Sequence, residues 1–364
     1  MSQSIKRANM EKLSQFREQL VQHPRLTYLF FELTDACNLC CLHCGSNASP
    51  KNSTYLPVKD IKMVIDQVRK KYPPQSIMIC LTGGEPLLHP DFFEILSYAK
   101  QCGFPCGMTT NGTLLTHEMS ETMVSHGIDS VSFSLDGLQD THDWFRNKPG
   151  SFQKAIQGIR NLLDAAQGSI LTQATTVIHK KNFCQLEEIF RSVSNLGVHS
   201  WRVVNLEPIG RALEHDDLLL EPPQFLKLLS FIREKRYDPN VSMEVTYGCS
   251  HYLPEEYERT VRDHYFLCGS GIYVASVMCN GDIYSCLDIE RRPELVQGNI
   301  KTDDFTEVWE HGFQAFRRDR SADHSACVQC EDRRFCRGDS AHTWDYTNQK
   351  PLLCLKQTLS EKGV

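Results

Sequence analysis

Eleven residues near the N-terminus, Ala36–Ser46 (ACNLCCLHCGS), hold four cysteines and a histidine. Cys37, Cys41 and Cys44 have the spacing C-x3-C-x2-C. Three thiolates on one short loop can hold three irons of a [4Fe-4S] cluster, which leaves the fourth iron open to another ligand. The same loop would also serve a zinc site that borrows a fourth ligand, for instance His43. Cys40 breaks the spacing and is read as a bystander. A second group lies near the C-terminus. Cys268, Cys279 and Cys286 come first, around an Asn-Gly hairpin signal at Gly281. Then Cys327, Cys330 and Cys336 follow C-x2-C-x5-C, with Cys354 beyond them. That set also suits a zinc ribbon.

A third motif, CLTGGEPLLHP, carries no cysteine ligand. Gly83 and Gly84 offer bare backbone that can pass close to a ligand, and their N–H and C=O groups can bond an amino-acid-like molecule. Glu85 adds a carboxylate and Pro86 fixes the turn.

The elements that must position these groups show in the periodicity. Residues 8–23 read as a helix with Leu13, Phe16 and Leu20 on one face. Strands are expected at Tyr28–Thr34, Ser76–Leu81, Cys106–Thr110, Ser130–Leu135, Leu171–Ile178 and Trp201–Leu206, with helical patterns between them. Six β-then-α units predict an α/β fold with a parallel sheet, open or curled into a partial (β/α)6 TIM-like barrel. Sites in such folds lie at the C-terminal ends of the strands. The cysteine loop directly follows the first strand and GGEP follows the second. The alternation is expected to end near residue 240, with a small cysteine-rich region to follow. The expected divisions are an N-terminal helix (1–24), a core (25–240), a bridge (241–265) and an auxiliary domain (266–364).

Bulk properties narrow the chemistry. The chain has 364 residues, 41% of them hydrophobic, and a net charge of −6. A mildly acidic chain has no general pull toward nucleic acid or an anionic membrane. No apolar run approaches the ~20 residues of a membrane span. The first twenty residues are polar and lack a signal-peptide core. A cytoplasmic protein is expected, in which 16 cysteines point to metal or redox chemistry rather than to disulfides.

The C-x3-C-x2-C loop after strand one and GGEP after strand two together resemble the radical S-adenosylmethionine (SAM) superfamily, over roughly residues 25–210. The resemblance implies that the open iron chelates SAM and that the cluster donates one electron. The sulfonium then splits, giving a 5′-deoxyadenosyl radical that takes a hydrogen atom from an unreactive C–H bond. It also implies SAM contacts at Asn111 in GMTTNGT, at Ser134 and Asp136 in VSFSLDG as ribose partners, and at Arg146 beside the cofactor. NLEPIGRA resembles the family's P-x-G-R turn. Where many members carry an aromatic residue before the third cysteine, this chain has His43, which is not expected to bind iron.

The C-terminal cysteines resemble the SPASM extension, which implies one or two auxiliary iron–sulfur clusters. Cys327, Cys330, Cys336 and Cys354 match the outer cluster's ligands, and Cys268 and Cys286 match two of the inner one's. The family's next inner ligand falls on Ser340, a poor substitute for thiolate. Cys279, beside the Gly281 turn, is the better replacement and Cys249 the other, although Cys279 reads equally as a small buried residue.

SPASM proteins mostly modify peptides or proteins, so the resemblance implies a maturase of a ribosomal peptide, forming a thioether or another crosslink. About 25 residues before strand one are too few for a leader-binding domain, so a separate leader-peptide-binding protein or the barrel surface is expected to recognise a leader. A flavodoxin- or ferredoxin-type donor would supply electrons. An anaerobic sulfatase-maturing enzyme is one alternative, although those carry Asp directly after the G-x4-C cysteine and this chain has Leu287. A tetrapyrrole-pathway enzyme with one auxiliary cluster is another, as the loss at Ser340 would allow.

Overall fold

The computed structural model describes residues 3–248 and 251–357. Its centre is a sheet built from parallel β-then-α units. The strands are β1 (Tyr28–Glu32), β2 (Met78–Thr82), β3 (Cys106–Thr110), β4 (Ser130–Ser134), β5 (Leu171–Ile178), β6 (Ser200–Asn205) and β7 (Glu244–Tyr247). Each pairs in parallel with the next. The sheet does not stop at the expected boundary. β7 lies beyond residue 240, and β8 (Val274–Val277) pairs in parallel with β1 on its other side. The hairpin partner β9 (Asp282–Tyr284) and the short β10 (Gly298–Asn299) complete ten strands, in the order β10-β9-β8-β1-β2-β3-β4-β5-β6-β7. With β7 and β10 as free edges, the barrel is not closed.

Helices α2 (Val58–Lys71), α3 (Phe92–Gln101), α4 (His117–Ser125), α5 (Gln139–Phe145), α6 (Ser151–Ala166), α7 (Leu186–Ser194) and α8 (Pro222–Tyr237) cover one face, while α1 (Gln3–Gln22) packs on the C-terminal region beside Tyr265 and Phe335. In α2 the stripe Ile61, Val64, Ile65 and Val68 is fully buried, at about 1.5–3 kcal/mol for each side chain. Arg69, Lys70 and Lys71 in its last turn complement the helix dipole. α1 differs from expectation. Phe16 is exposed, and the face toward the protein carries Met10, Arg17 and Leu20. Arg17 is tolerated there because its guanidinium donates to the carbonyls of Phe335 and Phe266, both at 2.9 Å.

The two faces of the sheet differ, and this difference makes room for a site. Along β4, Val131 and Phe133 are buried under helices, while Ser130, Ser132 and Ser134 are half-buried on the other side. The register carries that alternation across the sheet, so Ser134, Thr175, Arg202 and Thr246 share the second face. Parallel sheets usually carry apolar residues on both faces. A face of small polar residues instead fits the lining of a cavity.

Candidate functional site

The cysteine loop hangs from the C-terminal end of β1 and is tied to the ends of β2 and β3. The N–H of Gly84 donates to Thr34 O at 2.6 Å, and that of Glu85 to Ala36 O at 2.9 Å. A Cβ on Gly84 would lie 2.1 Å from Ala36 O, and one on Gly83 (φ +142°) 2.4 Å from Thr34 O. The two glycines therefore let the second strand's turn run against the backbone that leads into Cys37. Those N–H groups face this backbone, so a ligand at the turn would meet carbonyls. Pro86 is buried and opens a single helical turn, Pro86–Leu88.

Glu85 is fully buried. Its carboxylate accepts from Thr110 Oγ1 at 2.8 Å, the Asn111 N–H at 2.9 Å and the Leu87 N–H at 3.4 Å. Burial pushes its pKa up to about 7 against the pull of those donors. The side chain thus ties β2 to β3. Asn111 continues the link, since its Nδ2 donates to Asn38 Oδ1 at 2.8 Å and approaches Cys37 Sγ at 3.9 Å.

Cys37 and Cys41 are buried and Cys44 is half-buried. Each sulfur meets a polar group: the Leu39 N–H at 3.4 Å from Cys37, Arg146 Nη1 at 3.6 Å from Cys41, and the Ser46 hydroxyl at 3.3 Å from Cys44. Burial pushes the Cys37 thiol up to about 12, and the neighbouring Cys41, Glu85 and Cys44 charges add to that. A bound iron cluster would reverse this, because a coordinating thiol is deprotonated outright.

Asp136 is fully buried and ion-paired with Arg146, and its Oδ1 accepts the Val177 N–H at 2.9 Å. Arg146 stays charged because Asp136 and Cys41 outweigh the cost of its burial. Ser134, half-buried at the end of β4, does face the cavity. His43 stacks on Phe145 with ring centroids 4.1 Å apart and a 7° angle between planes. Burial holds its pKa well below the usual value.

Arg211 was not singled out by its chemistry in the sequence. Its Nε donates to Cys41 O at 2.7 Å and its Nη2 to Ala48 O at 2.9 Å, so the turn after β6 clamps the cysteine loop. The P-x-G-R resemblance was the signal that could have found it.

A family model described as the radical SAM superfamily matches residues 31–193, and one described as an iron–sulfur cluster-binding domain, SPASM, matches residues 268–331. The AdoMet-dependent heme synthase of Methanosarcina barkeri is 32% identical, over 90% of this chain and 95% of its own. The chain belongs to the radical SAM superfamily. The mycofactocin maturase MftC of Mycobacterium tuberculosis is 30% identical, over 85% of this chain and 77% of its own. The solved structure of anSMEcpe with bound AdoMet and a peptide shares the fold, with a TM-score of 0.70 at 17% identity over 93% of this chain and 96% of that one.

As a radical SAM enzyme with a SPASM domain, the protein takes a [4Fe-4S] cluster, SAM and auxiliary iron–sulfur clusters as cofactors. The N-terminal cysteines fit that use: three sulfurs on one loop, each beside a polar group, none in a disulfide. Among the described residues no three His, Cys, Asp or Glu side chains converge as the ligands of a single metal ion would. In a four-iron cluster each thiolate takes a different iron, so its sulfurs stand farther apart.

The auxiliary cysteines divide into two sets. Cys327, Cys330, Cys336 and Cys354 are all half-buried, and their charges act on one another. Two single helical turns, Ser325–Val328 and Arg333–Cys336, carry Cys327 and Cys336, and Cys330 lies in the loop between them. Asp339 donates its N–H to Cys336 Sγ at 3.1 Å. Cys268 and Cys286 are also close enough to interact. Cys268 accepts the Ala341 N–H at 3.4 Å. Burial pushes its thiol up, but Arg320, Ser270 and that N–H outweigh burial and lower it. Ser340, the residue before that N–H, is fully buried. Cys279 is not brought to this pair. It sits in the turn at the far end of the β8–β9 hairpin, where its charged neighbours are Glu32, Asp35 and Arg291. β8 has four residues, so about 13 Å of strand separates the two ends. Cys249 lies outside the described residues.

One buried group was missed altogether. His251 is fully buried between two carboxylates, with Nε2 2.6 Å from Glu207 Oε1 and Nδ1 2.9 Å from Asp339 Oδ2. Glu207 follows β6 and Asp339 follows Cys336, so the imidazole joins the sheet's C-terminal end to the auxiliary loop. Among the described residues no helix is long and apolar enough to cross a membrane.

Proposed function

We propose that this enzyme modifies a tetrapyrrole. In this reading Cys37, Cys41 and Cys44 hold the SAM-binding cluster, and Cys327, Cys330, Cys336 and Cys354 hold one auxiliary cluster. The observation that carries the reading is the buried Ser340 beside Cys268 and Cys286. Among the described residues it leaves the inner site with two thiolates, Cys268 and Cys286, and the outer site as the complete auxiliary set. Similarity to a heme synthase along nearly the whole of both chains supports the same reading. With its cofactors bound, the site would supply a carbon radical able to take a hydrogen atom from an unreactive C–H bond. The chain's own contribution is placement. Glu85, Arg146 and Arg211 hold the cysteine loop, and the polar inner face of β4–β7 receives the substrate. On a propionate arm, loss of one hydrogen atom to the 5′-deoxyadenosyl radical and of one electron to an oxidised iron–sulfur cluster or an external acceptor would release carbon dioxide and leave a vinyl group.

The test is to reconstitute the protein without oxygen. It is then given SAM, a reductant and an iron porphyrin bearing propionate arms where heme has vinyl groups. The expected product has lost carbon dioxide and two hydrogens per arm by mass spectrometry. A porphyrin returned unchanged while SAM is cleaved would refute this reading. The similarity to a peptide maturase favours the second one, in which a ribosomal peptide, presented with a separate leader-binding protein, is the substrate. A flavodoxin- or ferredoxin-type donor serves either.

A further inference from the structure

Across the strands β1–β7, the cavity face carries a single cationic side chain, Arg202 on β6. Its register partners on that face are Thr175 and Thr246, with Ser134 one strand farther on. Half-buried Arg202 is in hydrogen-bond contact with the Gly248 carbonyl through Nη2 at 2.9 Å. No carboxylate among the described residues pairs with it, in contrast to Arg146 and Arg291, which sit against Asp136 and Glu32.

The position is built for this side chain. A Cβ on Gly248 would lie 2.3 Å from Arg202 Nε and 2.4 Å from its Cγ, so the glycine leaves the space that the arginine stem fills. The guanidinium charge also acts on Cys286, which sets the arginine near the auxiliary cysteines. An arginine lodged among hydroxyls, half out of water and without a counter-ion, is a receptor for a planar anion.

We propose that Arg202 binds a carboxylate of the substrate, a propionate arm of the tetrapyrrole, and so sets how the ring lies over the cavity. This rests on the tetrapyrrole reading above. The arginine is a binding residue with no part in cofactor chemistry.

The test is a titration of the reconstituted enzyme, under anoxia, with hemin and with hemin dimethyl ester, followed by the porphyrin absorbance. The two ligands differ only in their carboxylates. The wild-type enzyme should prefer the acid by about tenfold to a hundredfold, the range of one charge-assisted hydrogen-bonded pair. Arg202→Met should bring the acid down to the ester's affinity and leave the ester unchanged, which a merely structural effect would not do. Arg202→Lys should restore part of the preference. If Met disturbs the sheet, Arg202→Gln, which keeps a donor for the Gly248 carbonyl, makes the same comparison. An acid preference that survives in these neutral variants overturns the inference alone. A wild-type enzyme that binds neither porphyrin overturns the tetrapyrrole reading, and the inference with it.

Discussion

The N-terminal cysteine loop hangs from the ends of β1, β2 and β3. The backbone N–H of Glu85, after the second strand, donates to Ala36 O, and two side chains clamp the loop: Arg146 after the fourth strand and Arg211 after the sixth. The C-terminal cysteines sit on single helical turns and loops. What holds those loops to the core is a set of long-range charged contacts. Arg17 of α1 donates to carbonyls beside Cys268 and Cys336, and His251 bridges Glu207 and Asp339. The first region takes its geometry from a hydrogen-bonded sheet, and the second from individual side chains. A cluster ligand set that must stay fixed for SAM chemistry is built on the sheet.

The sharpest break between the two regions should come from their cysteines. Cys41→Ala is expected to reduce SAM cleavage to background, measured as 5′-deoxyadenosine released under reducing, anoxic conditions. Cleavage at the wild-type rate would sink the assignment of the N-terminal loop. Cys330→Ala should retain part of the SAM cleavage, lose product formation and lower the iron count by about four per chain. Normal product from that variant would make the outer site dispensable.

Much of the first region was legible in the sequence and much of the second was not, and the reason is the range of the contacts. C-x3-C-x2-C and GGEP are local patterns, and each directly follows a strand whose apolar run is plain. The pairing of Asp136 with Arg146 was hidden, because both were read singly as cofactor contacts and only the turn into α5 brings them together. Phe16 and Leu20 share a helical face by spacing, yet Arg17 is the residue that α1 buries, since its partners lie some 250 and 318 positions away. β7 and β8 are four-residue strands whose places in the sheet depend on long connections. The His251 bridge depends on residues 44 and 88 positions distant.

That bridge offers a graded test of how the auxiliary loop is held. Burial alone would lower the His251 pKa, but Glu207 and Asp339 outweigh it and raise the value to about 10, from an ordinary 6.5. A raised histidine contributes stability that is whole below pH 6.5 and fades as pH climbs through 10. Burial opposes ionisation of Asp339 too, but the His251 charge and its hydrogen bonds hold it below the ordinary 3.8. Its contribution is present above that value and fades in stronger acid. The bridge should therefore stabilise most between about pH 4 and 6.5. There His251→Gln should cost about 3–5 kcal/mol, the range for breaking a buried charged pair. The gap in unfolding temperature between wild type and variant should narrow as pH rises toward 10. A gap that does not change with pH would mean that the imidazole is neutral and the two carboxylates are held in another way.

The smallest effect is expected at Cys279, and it bears most directly on the inner site. The sequence offered this cysteine as a replacement for the ligand lost at Ser340. The structure puts it at the opposite end of the hairpin from Cys286, among Glu32, Asp35 and Arg291. Burial pushes its thiol up to about 11, and the two carboxylates add to that, which together outweigh the pull of Arg291 toward a thiolate. Cys279→Ser should leave the iron and sulfide content and the product yield unchanged, because a serine of nearly the same size replaces a thiol that ligates nothing. Loss of about four irons would instead mean that the hairpin rearranges to bring Cys279 to Cys268 and Cys286. The inner site would then be complete after all, and the contrast between a rigid first site and a reduced second one would fall.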